Sequence, residues 1–340
     1  MATSQFITTD QIEDFCERLS ALNINMLGLQ DYQRSYLTRL LNYKKYFITI
    51  YAATLNELLT CINKKKEDVF LIDYGAGNGL LGLFAKFCGF GKIVQVDISA
   101  ACCFSQQILS EKLNLLVFEN INGDVDELKK FIYSPPDALV GTDVIEHIYD
   151  LDHFFSTLKA INKDLITIFT TASNDKNWWK KRKLMKDQRN DEWKGSPTEK
   201  GSSSNASFRT IRSNIIKKEI PQLTLSELQL LVDHTRGLNG KDILLACERY
   251  KIDGSIPSLM AHRTNTCDPI SGSWTERILS YDEYYQLFSK YHFSLTIKVG
   301  FYNEFRGGIK GMISKVLNRV LKLAGKKGNF FGPFIFLIGK

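Results

Sequence analysis

Apolar residues in this chain alternate between short runs of strand length and longer stretches with helical spacing. Residues 69–72 and 93–96 are two such runs, and each is followed by an aspartate. Between them, apolar residues recur every three or four positions from 80 to 87, which is the spacing of one face of a helix. The pattern predicts a β-α-β unit that begins at Val69 and ends at Ser99.

The same alternation continues after this unit. Strand-length runs lie at 115–118, 137–142, 165–171, 295–301 and 330–338, and helical patterns lie between them. Strands that alternate with helices form a parallel sheet covered on both faces. We therefore expect an α/β fold in which the last run, broken by a Gly-Pro pair, is the final strand.

The rhythm of strands and helices breaks in the second half of the chain. We expect four regions: an N-terminal helical extension (1–67), a core with a glycine-rich turn (68–174), an insertion (175–279) and a completion of the core (280–340). A long insertion between two sheet elements is typical of a cap over a binding site. Its glycine- and serine-rich stretch, 195–207, is expected to be flexible before substrate binds.

A glycine-rich turn joins the first predicted strand to the first predicted helix of the unit. Residues 75–79 read Gly-Ala-Gly-Asn-Gly and follow closely on Asp73. Glycines adopt backbone angles closed to other residues, and the helix start directs free N–H groups into the same space. Asp97, at the end of the second strand, is placed to accept hydrogen bonds from both ribose hydroxyls. Dinucleotides and S-adenosylmethionine (SAM) are both bound by such units.

Composition and charge narrow the choice of partners. The chain has 340 residues, of which 44% are hydrophobic, so it can bury a large core. Its net charge is +7, and the insertion alone holds 19 Lys or Arg against 13 Asp or Glu. Basicity concentrated in one segment indicates one basic surface rather than a general affinity for nucleic acid.

Cysteine usage and the apolar runs indicate the compartment. The seven cysteines form no C-x-x-C pair and no Cys/His cluster with zinc spacing, so no metal site is expected. No basic segment precedes an apolar one near the first residue, and no apolar run approaches about 20 residues. We therefore expect a cytoplasmic protein with reduced thiols.

A second motif follows the fourth predicted strand, where residues 142–148 read Thr-Asp-Val-Ile-Glu-His-Ile. With the glycine-rich turn and Asp97, this motif resembles class I SAM-dependent methyltransferases, in particular the ubiquinone-biosynthesis type. The resemblance covers roughly 69–175 and 279–340 and leaves out the insertion. It implies a Rossmann-like, mostly parallel sheet of seven strands with an antiparallel last strand. The chain departs from amino-methylating members at 170–174, which lacks their proline.

The resemblance implies SAM as the cofactor and assigns most of its contacts. The implied cofactor-binding residues are Asp73, Gly75, Ala76, Gly77, Asn78, Gly79, Asp97, Ile98, Asp124, Val125, Thr142 and Asp143. Tyrosines are dense between positions 32 and 51, and we expect them to pack against the sheet, with closure of Tyr36 or Tyr43 over the ligand as the alternative. No metal ligand is implied.

Methyl transfer from a sulfonium needs alignment and, for an alcohol acceptor, a base. His147 follows the fourth strand, at the edge where open α/β sheets bind ligands, and is the first candidate for that base. His234 and His262, in the insertion, are the alternatives. We expect O-methylation of a small-molecule or glycan-like acceptor, and the basic insertion favours one that carries phosphate. The candidate acceptor-binding residues are Trp178, Lys181, Arg182 and Arg263.

Other functions use some of the same motifs. A nicotinamide-dependent oxidoreductase shares the β-α-β unit, but the Glu146-His147 motif and the predicted last strand disfavour it. A protein that binds SAM without turnover would keep the same turn. A nucleic-acid modifier is a weaker alternative, in which Trp178, Trp179 and the basic run 180–183 would stack bases and neutralise phosphates.

The helix predicted at 309–323 has a complete apolar stripe and no acidic residue. The stripe comprises Ile309, Met312, Ile313, Val316, Leu317, Val320 and Leu321. So large an apolar surface needs a cover. We favour the sheet as that cover, with the surface of an anionic membrane as the alternative.

Overall fold

The computed structural model describes residues 6–195 and 206–340, which contain a seven-stranded sheet. Its strands are β1 (Phe70–Tyr74), β2 (Lys92–Asp97), β3 (Glu119–Asn122), β4 (Ala138–Thr142), β5 (Ile166–Thr171), β6 (Leu295–Val299) and β7 (Ile335–Gly339). Their order is β3-β2-β1-β4-β5-β7-β6. Strands β1 to β5 are parallel, and β7 pairs antiparallel with both β5 and β6. The predicted fold class is confirmed, including the antiparallel last strand.

Helices connect the strands, and their first residues are often capped by side chains. The helices are α1 (Thr9–Ser20), α2 (Asp31–Asn42), α3 (Lys44–Cys61), α4 (Leu80–Phe87), α5 (Ala100–Leu113), α6 (Val125–Phe131), α7 (Leu151–Ile161), α8 (Trp178–Trp193), α9 (Phe208–Glu219), α10 (Leu225–His234), α11 (Gly240–Asp253), α12 (Tyr281–Lys290) and α13 (Gly308–Ala324). Ser99 caps α5 and Asp124 caps α6, directly after β2 and β3. Each cap satisfies backbone N–H groups that a helix start leaves open.

The chain divides into two compact units. The sheet unit comprises the described residues up to Ile145, together with Leu151–Thr171 and Tyr281–Lys340. The helical unit comprises Glu146–Asp150 and the described residues of Ala172–Ser280. Most of the glycine- and serine-rich stretch lies at 196–205, outside the described residues. The role of the helical unit as an acceptor cap stays a prediction.

The core of the sheet unit lies around its central strands. Leu71, Ile72, Leu139 and Val140 have no exposed surface. These strands are apolar on both faces because a parallel sheet is covered on both faces, so each residue of the strand enters the core.

The helical unit has a smaller apolar core and a buried polar network. Ile216, Leu231 and Ile243 pack together in the apolar part. Beside them, Arg212 is fully buried and donates to Glu192, with Nη1 3.1 Å from Oε2. The network consists of Gln188, Asp191, Glu192, Arg212, Thr264, Asn265, Thr266 and Thr275. Hydrogen bonds between buried side chains therefore accompany apolar packing inside this unit.

The third strand does not lie where the sequence pattern predicts it. Residues 115–118 precede β3 instead of forming it, and Leu116 and Phe118 are exposed. The amide of Leu115 donates to the carbonyl of Ser110, which closes the end of α5. The prediction of a strand at 115–118 was wrong because these four consecutive apolar residues form a connection, in which Leu115 and Val117 pack against the core.

Helix α13 forms as predicted, but the sheet does not cover its apolar stripe. Of the seven stripe residues, Leu321 is buried and Leu317 is half-buried, whereas the other five are exposed. The buried side of the helix instead holds Gly311 and Ser314, whose small side chains allow close approach. The prediction of core packing was therefore wrong. Among the described residues, no helix has the length and apolar character that crossing a membrane requires.

Candidate functional site

The glycine-rich turn connects β1 to α4 at the carboxyl edge of the sheet. Gly75, Gly77 and Gly79 all have positive φ, at 67°, 55° and 78°. A Cβ added to Gly75 would lie 2.3 Å from Cγ2 of Val144, so no larger residue fits there. The backbone angles and this close contact together explain why the turn needs glycine.

Asp97 closes the glycine-rich turn from the neighbouring strand. Its Oδ2 accepts from the amide of Gly77 at 2.8 Å, and its Oδ1 accepts from the amide of Ser99 at 2.9 Å. Within the turn, the amide of Ala76 donates to Val96, and that of Gly79 donates to the carbonyl of Ala76. Burial raises the pKa of Asp97. Several amides of the turn are thus engaged within the protein, around a fixed carboxylate.

Buried amide side chains donate hydrogen bonds to the carbonyl groups of the glycine-rich turn. Gln95 Nε2 donates to the carbonyl of Gly79 at 2.7 Å, and Gln106 Nε2 donates to that of Gly77 at 2.9 Å. Ser105 donates to Asn78 Oδ1 at 2.6 Å. We call Gln95, Gln106, Asn78 and Ser105 the amide scaffold. Sequence reasoning missed it apart from Asn78, although a glutamine inside the apolar strand β2 is a visible signal.

Asp73 supports the turn and does not face the ligand space. It is only 2% exposed, and its Oδ2 accepts from the amide of Gly82 in α4 at 2.8 Å. Burial raises the pKa of this carboxyl to about 7, against the lowering effect of its hydrogen bonds to Gly82 and Gln95. The structure thus makes Asp73 an anchor for the start of α4, whereas the resemblance implied that it contacts the cofactor.

The remaining predicted cofactor residues lie on loops after β2, β3 and β4. Ile98 follows Asp97 and is 77% exposed. Asp124 accepts from the amides of Asp126 and Glu127 as the cap of α6, and Val125 behind it is buried. The parallel register of the strands brings these loops to one edge of the sheet.

After β4, the chain places a second carboxylate at this edge. Thr142 is the last residue of β4, and Asp143 follows it as an exposed residue with φ of 51°. Its amide donates to the carbonyl of Thr170 at 2.9 Å, which holds the unusual conformation in place. An exposed carboxylate on a constrained backbone is suited to a cationic group of a ligand.

Tyr36, rather than Tyr43, lies over the glycine-rich turn. Its Cε1 is 3.3 Å from the point where a Cβ of Gly77 would stand, and Arg39 lies 5.2 Å from its ring centre. Burial and then the charge of Asp143 raise the pKa of Tyr36. Tyr43 is exposed, with the guanidinium of Arg306 5.9 Å from its ring.

The three candidate histidines of the helical unit differ in how their Nδ1 atoms are bonded. Nδ1 of His147 lies 2.7 Å from the carbonyl of Trp274, and Nδ1 of His234 lies 2.6 Å from that of Pro257. Since a carbonyl accepts, the proton is on Nδ1 in both, and Nε2 carries the lone pair. Nδ1 of His262 instead accepts from the amide of Asn265 at 3.1 Å. In its neutral form His262 therefore holds its proton on Nε2 and is not ready to act as a base there.

The predicted acceptor residues lie on two segments of the helical unit. Trp178 and Arg182 meet on the first turns of α8, with the guanidinium 5.6 Å from the ring centre. Lys181 forms an ion pair with Asp175. Arg263 is exposed after α11, and its carbonyl accepts from Arg236. Within the described residues, no cluster of three His, Cys, Asp or Glu is suited to hold a metal ion.

No protein-family description and no curated protein sequence matches this chain. Solved structures give weak similarities. A mutant of MtNAS in complex with SAM is 13% identical over 48% of this chain and 56% of its own, with a TM-score of 0.33. Precorrin-6y C5,15-methyltransferase from Geobacter metallireducens GS-15 is 15% identical over 41% of this chain and 70% of its own, with a TM-score of 0.30. Magnesium protoporphyrin IX methyltransferase from Synechocystis PCC 6803 is 17% identical over 37% of this chain and 55% of its own, with a TM-score of 0.29. The relation to the ubiquinone-biosynthesis type stays a prediction.

Proposed function

We propose that the chain is a SAM-dependent methyltransferase whose cofactor binds at the glycine-rich turn. The observation that carries this proposal is a pair of carboxylates near the turn: Asp97 is fixed by two amides, and Asp143 precedes Val144, whose side chain lies against Gly75. Asp97 would accept the ribose hydroxyls, and Asp143 with Thr142 would hold the ammonium of the methionine part. Ile98, Val125 and Asp124 would border the adenine. When bound, SAM supplies an electrophilic methyl group on a sulfonium.

The same geometry disfavours a nicotinamide cofactor. A diphosphate needs backbone N–H groups of the turn, but the amides of Ala76, Gly77 and Gly79 already donate within the protein. Two carboxylates would also repel a diphosphate, whereas they attract a cation. In addition, the sheet inserts an antiparallel β7 between β5 and β6, unlike the dinucleotide-binding order 3-2-1-4-5-6.

We further propose O-methylation with His147 as the base. Trp274 holds the proton of His147 on Nδ1, so Nε2 can take the proton of an acceptor hydroxyl as its oxygen attacks the methyl carbon. His234 has the same tautomer and remains the alternative, while His262 does not. The acceptor is a small or glycan-like molecule. Trp178 and Arg182 would contact it, and Lys181 and Arg263 would attract its phosphate.

Titration calorimetry tests the cofactor assignment. Wild type should bind SAM and not NAD. Asp97→Ala should lose about 1.5–3 kcal/mol of the free energy of SAM binding, which corresponds to roughly 10- to 150-fold in affinity. Asp164→Ala, at an exposed carboxylate before β5, is the matched control and should bind as wild type does. Unchanged SAM affinity in a folded Asp97→Ala variant would refute the site.

Transfer of a labelled methyl group from SAM to a metabolite extract tests turnover and the base. Wild type should label an acceptor and release S-adenosylhomocysteine, His147→Ala should lose most of this activity, and His262→Ala should keep it. SAM binding without any transfer would favour the non-catalytic alternative.

A further inference from the structure

Helix α13 exposes a continuous apolar face. Ile309, Met312, Ile313, Val316, Val320 and Leu323 are between 47% and 88% exposed. Because successive residues of an α-helix are turned by about 100°, these six lie on one side of it. The buried residues Gly311, Ser314 and Leu321 lie on the opposite side. The apolar face therefore points away from the body of the sheet unit.

The attachment of α13 explains this orientation. Asn318 forms two hydrogen bonds with the backbone of Tyr302, accepting from its amide at 2.7 Å and donating to its carbonyl at 3.0 Å. A Cβ added to Gly311 would lie 1.9 Å from the carbonyl oxygen of Arg306, so the helix backbone sits directly against the preceding loop. A narrow side of small and polar residues thus holds the helix, and the wide apolar side stays exposed.

Positive charges border the apolar face, whereas the acidic Glu304 accepts a hydrogen bond from Asn318 on the attached side of the helix. The segment 305–334 contains seven basic residues and neither Asp nor Glu. Lys315, Arg319 and Lys322 are exposed along one flank of the face, and Lys310 is exposed along the other. Long basic side chains beside an apolar face can reach phosphate groups while their stems stay in apolar surroundings.

Exposed aromatic residues flank α13 in the chain. Phe305 lies before α13, and Phe330 and Phe331 lie after it, and all three are exposed. The helix itself has 17 residues, which corresponds to a length of about 25 Å. This is an amphipathic surface of the size that interfacial helices present to a bilayer.

We propose that α13 binds the surface of an anionic membrane, with its apolar face among the acyl chains and its basic flanks at the phosphates. The complementary charge selects this partner. A second copy of the chain fits poorly, because pairing two such faces would bring the basic flanks of both copies together. The proposal rests on α13 alone and does not depend on methyl transfer.

Vesicle flotation with the full chain tests the charge requirement. Wild type should float with phosphatidylcholine vesicles that contain phosphatidylglycerol, and not with phosphatidylcholine alone. Binding should weaken at about 1 M salt, where the Debye length is about 3 Å. Reversing Lys315, Arg319 and Lys322 to Glu should weaken it by about 100-fold or more. The matched control reverses Lys112, Lys217 and Lys218, which are exposed outside α13, and should float like wild type.

A second variant tests the apolar face. Ile313→Ser with Val316→Ser should weaken vesicle binding at least about tenfold and leave the melting temperature unchanged, because both residues are exposed. Three results would overturn the proposal: no flotation of wild type with anionic vesicles, equal loss in the matched control, or a lipid-free dimer that the double serine variant abolishes. A clear fall in melting temperature would also overturn it, since the face would then be covered within the protein.

Discussion

The sheet unit and the helical unit of this protein differ in the kinds of side chain that they bury. In the sheet unit, the central strands are apolar on both faces, and buried polar side chains concentrate beneath the glycine-rich turn. In the helical unit, a buried network around Arg212 and Glu192 accompanies a small apolar core. Apolar packing tolerates many sequences, whereas a buried polar network needs each partner in place. The units should therefore respond differently to single substitutions.

The largest effect is expected in the helical unit. Arg212→Met should reduce the free energy of unfolding by about 3–5 kcal/mol, because it leaves the carboxylate of Glu192 buried without its cation. Urea unfolding measures the loss, and hydrogen exchange should locate it in α8 and α9. The double variant Arg212→Met with Glu192→Leu should recover a large part of it.

The ion pair between Lys251 and Glu219 provides the control within the same unit. Both side chains are about one third exposed or more, so Lys251→Met should reduce the free energy of unfolding far less than Arg212→Met does. Equal losses for Lys251→Met and Arg212→Met would show that the buried network has no special role in the helical unit.

The next effect concerns the buried carboxyl of the sheet unit. Burial raises the pKa of Asp73 to about 7 in the folded protein. The folded state therefore holds a proton that the unfolded chain has already lost, and the free energy of unfolding should fall as pH rises from about 4 to about 7. The size of the pKa shift limits this fall in the free energy of unfolding to at most about 4 kcal/mol.

Asp73→Asn removes this ionisation and keeps an oxygen for the amide of Gly82. Urea unfolding at several pH values should show the variant gaining stability relative to wild type between about pH 4 and 7, with no further gain above that range. Parallel pH profiles for variant and wild type would contradict the buried, proton-holding role of Asp73.

A smaller effect tests whether the amide scaffold supports the ligand site. Gln106→Leu leaves the carbonyl of Gly77 without its buried donor and should cost about 1–3 kcal/mol of stability. SAM affinity should fall with it, because the turn loses its support. The neighbouring Gln107 is exposed and bonds to Glu111, so Gln107→Leu should change neither quantity measurably. If Gln106→Leu lost stability but bound SAM with the affinity of wild type, the amide scaffold would stabilise the fold without supporting the ligand site.

Much of the sheet unit could be predicted from local patterns. The unit from β1 to β2 follows from two apolar runs, a glycine turn and helical spacing, because each signal lies within a few residues. The start of β3 could not be predicted in this way. The apolar run at 115–118 has the length of a short strand, and only the neighbouring β2 decides that pairing begins at Glu119.

The candidate site likewise combines features that local sequence patterns predict with features that only tertiary contacts decide. The spacing of glycine and aspartate predicts Asp97 as a cofactor contact, and the family resemblance adds Asp143. Neither predicts the choice of Tyr36 over Tyr43, which depends on how α2 packs over the turn. The tautomer of His147 depends on the carbonyl of Trp274, 127 positions away in the chain, and that of His262 depends on the local turn that brings the amide of Asn265 to its ring. Such partners leave no periodic signal in the sequence.

The sequence by itself determined that the apolar residues of α13 share one face, since helical periodicity is a local property. Only the tertiary structure decided which side of the helix is attached. Gly311 and Asn318 bind the narrow side to the preceding loop, and the apolar face is left outside. The physical reason is that periodicity places residues relative to their own helix axis, whereas burial depends on which surface finds a matching partner elsewhere in the fold.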